Sequence, residues 1–276
     1  MLRGLYTAAS GMLAQAVRLE LETNNLANVS TTGYKADQAE LVSFPTLLLR
    51  RVGGEGGDPE PLHPLGVEVR TRPEGLDRLP FREAPVVGPL GTGVYVEGVY
   101  TSFQQGPLRE TGNPLDLALE GPGFFALETP AGVRYTRAGS FVLDSEGYLA
   151  DLRGNRVLGV DGPIQVGLEG AVAVGQDGTV FVDGALVGQL LIVDFADPNG
   201  ELRKEGATLL APLEGAEPLA ADGTRVAQGM LEGSTVQVVE SLVRLIELQR
   251  AYESSQRVVR SYDETLDQTV NELGRI

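Results

Sequence analysis

The sequence predicts an α+β protein: a mostly antiparallel β region held between N- and C-terminal helices that pair as a coiled-coil-like helical domain. Three observations predict it. Apolar residues recur at alternating intervals of four and three near the start of the chain. Turn signals separate short apolar runs through the middle. No glycine or proline occurs from 234 to 273. The expected organisation is a helical assembly domain from 1–35 and 234–276, an extended connector at 36–92 and an all-β domain at 93–233.

Residues 1–29 read as a helix. Leu5, Ala9, Met12, Ala16, Leu19, Thr23 and Leu26 form a heptad seam weakened by its small members, with Gln15, Arg18, Glu20 and Glu22 off it. Asn24 and Asn25 then begin an asparagine- and threonine-rich run that Gly33 breaks. The stretch 51–92 is rich in glycine and proline and reads as an irregular connector with a few strands.

From about residue 93 the pattern becomes β. Val94, Val96, Val99 and Phe103 mix with Glu97 and Thr101. Turn signals follow closely: Gly112-Asn113-Pro114, Gly121-Pro122-Gly123, Pro130-Ala131-Gly132, Asp144 to Gly147, Asp177-Gly178, Asp183-Gly184 and Asp197 to Gly200. Runs such as FFALE, TVFVD and LLIVDF lie between them. Short strands at this spacing argue an antiparallel sandwich or barrel-like domain.

Residues 234–273 return to helix, with Ser234 as the expected N-cap. Val236, Val239, Val243 and Ile246 make one stripe; Val259, Tyr262, Leu266, Val270 and Leu273 make another. Forty helical residues span about 60 Å, long for a helix folding back on a compact domain. Two helices remote in sequence, each with a seam lacking a partner, predict pairing with each other or with neighbouring subunits. Leu5, Met12, Leu19, Asn24, Asn25, Leu26, Val239, Val243, Ile246, Tyr262 and Leu266 are the expected assembly interface.

Composition narrows the function classes. A net charge of −16, with no lysine or arginine run to reverse it, opposes nucleic acid and anionic membranes. Absence of cysteine removes disulfides, thiolate metal sites and thiol nucleophiles. The single histidine, His63, sits in the proline-rich stretch and reads as a solvated loop residue. Triads and histidine metal sites are thereby nearly excluded. Glu120-Gly121-Pro122-Gly123-Phe124 resembles a phosphate loop only superficially, because neither a helix pattern nor a lysine follows; it reads as a tight turn entering a strand. Asp144 to Gly147 and Asp177-Gly178 do not continue as calcium loops and read as hairpin turns. No cofactor is expected. No stretch reaches the roughly 18–20 apolar residues of a membrane span, and the N-terminus lacks the apolar core of a cleaved signal peptide.

Three separated stretches carry a resemblance. They are LYTAASGMLAQAVRLELETNNLANVSTTGYKAD at the start; GPLRETGNPLDLALEGPGFFAL with YTRAGSFVLDSEGYL in the middle; and VQVVESLVRLIELQRAYESSQRVVRSYDETLDQTV at the end. In that order they resemble the flagellar basal-body rod and hook proteins. Asn24-Asn25, Thr31 to Lys35 and Gln249 to Glu253 are the most specific matches. The resemblance implies a rod subunit, of proximal or distal type, in the basal body of the bacterial flagellum. It implies polymerisation with itself and with other axial subunits into a hollow, torque-transmitting shaft, and export through the flagellar export apparatus. The terminal helices would then form the inner tube, with no catalysis. The competing expectation is a monomeric β module that binds a cell-wall glycan, its helices only a clasp. A hydrolase built on an acid dyad is the third.

Overall fold

The computed structural model describes residues 2–43, 47–50, 86–90, 93–221 and 223–273. It is α+β, with helices at the two ends and a mostly antiparallel β region between them. Helix α1 is Leu2–Ala27, α2 is the short Pro198–Glu201, and α3 is Val238–Leu273. The chain forms two compact units: Met1–Ala16 with Leu41–Glu97 and Ala251–Ile276, and Val17–Glu40 with Gly98–Arg250.

In the first unit, the ends of the two long helices meet. Gly4 of α1 lies against the Tyr262 ring of α3 so closely that a β-carbon there would collide with it. Strands Leu47–Arg50 and Val86–Leu90 pair antiparallel. Of the connector expected at 36–92, residues 44–46, 51–85 and 91–92, His63 included, lie outside the described residues.

The second unit holds the large sheet. Its backbone is the strand Phe124–Thr129, which pairs with Gly132–Thr136 on one side and Arg156–Gly159 on the other. The run FFALE is apolar without alternation because this strand is buried on both faces. Phe125 and Leu127 enter one core with Leu117, Leu119, Phe141 and Val157. Phe124 and Ala126 enter a second core with Tyr135, Val193 and Phe195. Phe125 and Phe141 meet edge to face, centroids 5.2 Å apart, which adds to the area they bury.

The turn signals behave as their chemistry requires. Pro130-Ala131 closes the hairpin in which Thr129 pairs with Gly132. Asp183-Gly184 joins Val182 to Ala185 with φ of 49° and 81°. A two-residue hairpin of that hand needs left-handed backbone at both positions, which Asp tolerates and Gly prefers. Asp144 Oδ1 accepts from the backbone N–H groups of Glu146 and Tyr148, folding its own turn.

The helix boundaries differ in detail from expectation. Ser234 is not the N-cap of α3, which starts at Val238. Its hydroxyl instead accepts from the Val236 N–H at 3.2 Å, turning the chain four residues upstream. The local Ser signal is genuine, but it serves a turn competing with the helix. Gly33 does not end α1, which stops at Ala27. Its φ is +67°, and a β-carbon there would collide with the backbone of Arg137 and Ala138.

Candidate functional site: helix exits and outward faces

The chain leaves α1 through a hydrogen-bonded corner. Asn25 Nδ2 donates to the Asp37 carbonyl at 2.8 Å, and Asn25 Oδ1 accepts from the Asp37 N–H at 3.0 Å. One side-chain amide thus pairs with both backbone groups of one residue, as a neighbouring strand would. The Tyr34 hydroxyl donates to the same corner, 2.9 Å from Asn24 Oδ1 and 3.0 Å from Asn25 Oδ1. Burial raises the Tyr34 pKa above its ordinary value, with the Asp37 and Glu22 carboxylates adding to the rise. Lys204 Nζ lies 3.9 Å from the Tyr34 ring centroid and bonds Asp37 Oδ2 at 2.9 Å. Burial lowers the Lys204 pKa, and Asp37 opposes that.

Beside this corner is a buried ionic cluster. Lys35 Nζ meets Glu232 Oε1 at 2.7 Å, with side-chain exposures of 4% and 0%. Arg137 Nη1 approaches Glu232 Oε2 at 3.4 Å. The Gly106 N–H donates to Glu232 Oε1 at 2.7 Å, and the Gly33 N–H donates to the Glu232 carbonyl at 2.8 Å. Lys35 also donates to the Gln104 carbonyl, and Arg137 to the Gly121 carbonyl. Three remote segments, at Lys35, Gly106 and Arg137, therefore converge on one carboxylate. Burial lowers the Lys35 pKa, and Glu232 pulls it back. A lone charge here would be expensive; the pairing of Glu232 with two cations offsets that cost.

The expected assembly residues fall into three groups. Asn24 and Asn25 are brought together on Tyr34. Leu5, Met12, Leu19 and Leu26 of α1, and Tyr262 and Leu266 of α3, are partly buried. Val239, Val243 and Ile246 point outward, at 76%, 50% and 49% exposed. The inward line of this part of α3 is instead Ser241 and Leu248. Val238 and Leu242 widen the outward stripe, which repeats at helical spacing as one face. On α1, Tyr6 and Leu13, seven residues apart, are also exposed. Among the described residues no cluster of three or more His, Cys, Asp or Glu side chains could hold a metal. Among them, too, no helix is long and apolar enough to cross a membrane.

Residues 5–35 match the model described as flagella basal body rod protein. Residues 118–182 match the flagellar hook protein FlgE/F/G D1 domain, and 227–273 the flagellar basal body rod FlgEFG protein C-terminal family. The flagellar hook-basal body complex protein FlhO of Bacillus subtilis is 33% identical, with all of both chains covered. The chain belongs to the flagellar basal-body rod family. The basal-body rod protein FlgG of Agrobacterium fabrum is 34% identical over 95% of this chain and 96% of its own. FlgF of Caulobacter vibrioides is 32% identical over 99% and 98%.

In this rod-family chain the N-terminal match ends at Lys35 and the C-terminal match contains Glu232. The ion pair therefore joins the two terminal family segments. In the sequence Tyr34 and Lys35 stand out only as part of the resemblance, and no pattern marks Arg137, Lys204 or Glu232. A lone lysine in a polar run carries no signal of burial. The close-packed Gly33, Gly106 and Gly139 were the available hint.

Proposed function

We propose that this chain is a structural subunit of the flagellar basal-body rod, joined to its neighbours through the outward faces of its terminal helices. The observation that carries the reading is the α3 stripe of Val238, Val239, Leu242, Val243 and Ile246, contiguous and exposed on one face. A contiguous apolar face on a chain of net charge −16 marks a surface meant to be covered. In the rod, the partners are further copies of this chain and other axial subunits, and the place of work is the basal body.

The chain is a substrate of the flagellar export apparatus. It is not an enzyme: its work is to pack, and the buried cluster keeps the helix exits in one geometry while it does so. Coiled-coil-like contacts between subunits complete the seams of α1 and α3. The glycan-binding alternative has no observation in its favour.

The test is incorporation. Full-length chain carrying Val243→Asp should be absent from isolated basal bodies while remaining folded in solution. Normal incorporation of Val243→Asp and Ile246→Asp would overturn the proposed interface.

A further inference from the structure

One turn signal, Asp197 to Gly200, folds as the start of a helix rather than as a hairpin. Asn199 and Gly200 lie in the one-turn α2, and both are exposed. In an Asn-Gly pair the glycine nitrogen reaches the asparagine Cγ without a β-carbon in the way. Two groups surround this pair. Asn199 Oδ1 accepts from the Thr101 N–H at 3.0 Å, at the end of the strand Val94–Thr101. That donor polarises the side-chain carbonyl and steadies the negative charge that develops on Oδ1 when Cγ is attacked. The Asp197 carboxylate lies against Gly200, where a β-carbon would collide with Oδ2.

An aspartate at a helix start ordinarily accepts from the first backbone N–H groups with its side chain. Asp197 makes no such bond. The Gly200 N–H goes instead to the Asp197 backbone carbonyl at 3.1 Å. The carboxylate is thus left beside Gly200 with its acceptors open, where it takes a proton from the nitrogen as that nitrogen attacks. A helix of one turn gives up few hydrogen bonds when Asn199 swings towards Gly200 N.

We infer that Asn199 is a self-modification site, at which the chain converts its own side-chain amide into a carboxylate. The Gly200 nitrogen bonds to Asn199 Cγ, the Cγ–Nδ2 bond breaks, and ammonia leaves carrying the proton that Asp197 took from Gly200 N. A cyclic imide remains, and water opens it at either carbonyl to give aspartate or isoaspartate. Only water is consumed. Either product sets a new carboxylate beside Thr101, whose hydroxyl already donates to Asp37. Isoaspartate also routes the main chain through its Cβ, which breaks the turn of α2.

The test incubates purified full-length chain at neutral pH and maps it by mass spectrometry that separates aspartate from isoaspartate. Both products should accumulate at 199, while Asn155, whose Nδ2 bonds Asp151 Oδ2 at 2.8 Å, stays an amide. Asp197→Ala should slow the conversion on the order of tenfold or more. It should leave the melting temperature unchanged, because the Asp197 side chain caps nothing. Gly200→Ala, with a β-carbon beside the attacking nitrogen, should slow the conversion too. An amide at 199 that lasts as long as the one at 155 would overturn the inference and reduce the Thr101 bond to a tie between α2 and the strand. Equal rates in native and Asp197→Ala chain would overturn it as well, because the Asn-Gly pair alone would then set the rate.

Discussion

Lys35 and Glu232 lie 197 residues apart in sequence and 2.7 Å apart in the fold, both side chains buried. Lys35 follows the exit from α1, and Glu232 precedes the entry to α3. This contact, with Arg137 completing it, fixes where the two terminal helices leave the β region. Its consequences for stability are direct.

Glu232→Gln should destabilise the fold by about 3–5 kcal/mol, because it leaves two buried cations facing a neutral amide. Urea unfolding should show the midpoint shifted with an unchanged slope. Lys35→Met alone should cost less, since Arg137 still faces the carboxylate. Loss of less than about 1 kcal/mol in Glu232→Gln would mean that water, not the cations, solvates Glu232.

Tyr34 makes an alkaline prediction. Its pKa in the folded chain is raised above the ordinary 10.0, first by burial and then by Asp37 and Glu22. The sign follows: a group that holds its proton more tightly when folded stabilises the fold below its unfolded pKa. That contribution is lost as pH climbs from about 10 towards the folded value. Phenolate absorbance of native chain minus Tyr34→Phe should therefore appear only well above pH 10. A Tyr34 contribution titrating at its ordinary pKa would show the ring to be solvated.

Ile246→Asp separates folding from assembly. Ile246 is half exposed in the single chain, so the change should alter its stability by no more than about 0.5 kcal/mol. Its effect should appear only when a neighbour covers the stripe and buries an unpaired charge. Calorimetry checks the first part and incorporation into basal bodies the second. A large loss of melting temperature in the isolated chain would place Ile246 inside the fold.

Gly139→Ala should be severe. A β-carbon at 139 would overlap the Leu117 carbonyl, which accepts no displacement without moving a core strand. Overpacking of this kind costs about 1–3 kcal/mol where side chains can yield, and backbone cannot. The soluble, folded yield of Gly139→Ala checks it; a native-like melting temperature would refute it.

Local chemistry was legible in the sequence. The hairpin at Asp183-Gly184 follows from two residues that accept positive φ, and α3 follows from an unbroken run without glycine or proline. The family was legible too, because its three stretches are long and specific. The direction of the α3 stripe was not. Val239, Val243 and Ile246 share a period with any buried face, and periodicity cannot tell a face covered by its own chain from one turned outward. Tertiary packing decided that Ser241 and Leu248 go inward instead.

The buried charges were decided by tertiary structure for the same reason. Whether Lys35 is a solvated loop residue or the centre of a cluster depends on partners 69 and 197 residues away. No local pattern encodes contacts of that separation. The sequence by itself determined the α+β plan, its turns and its kinship. Only the fold determined that one glutamate, Glu232, holds both helix exits.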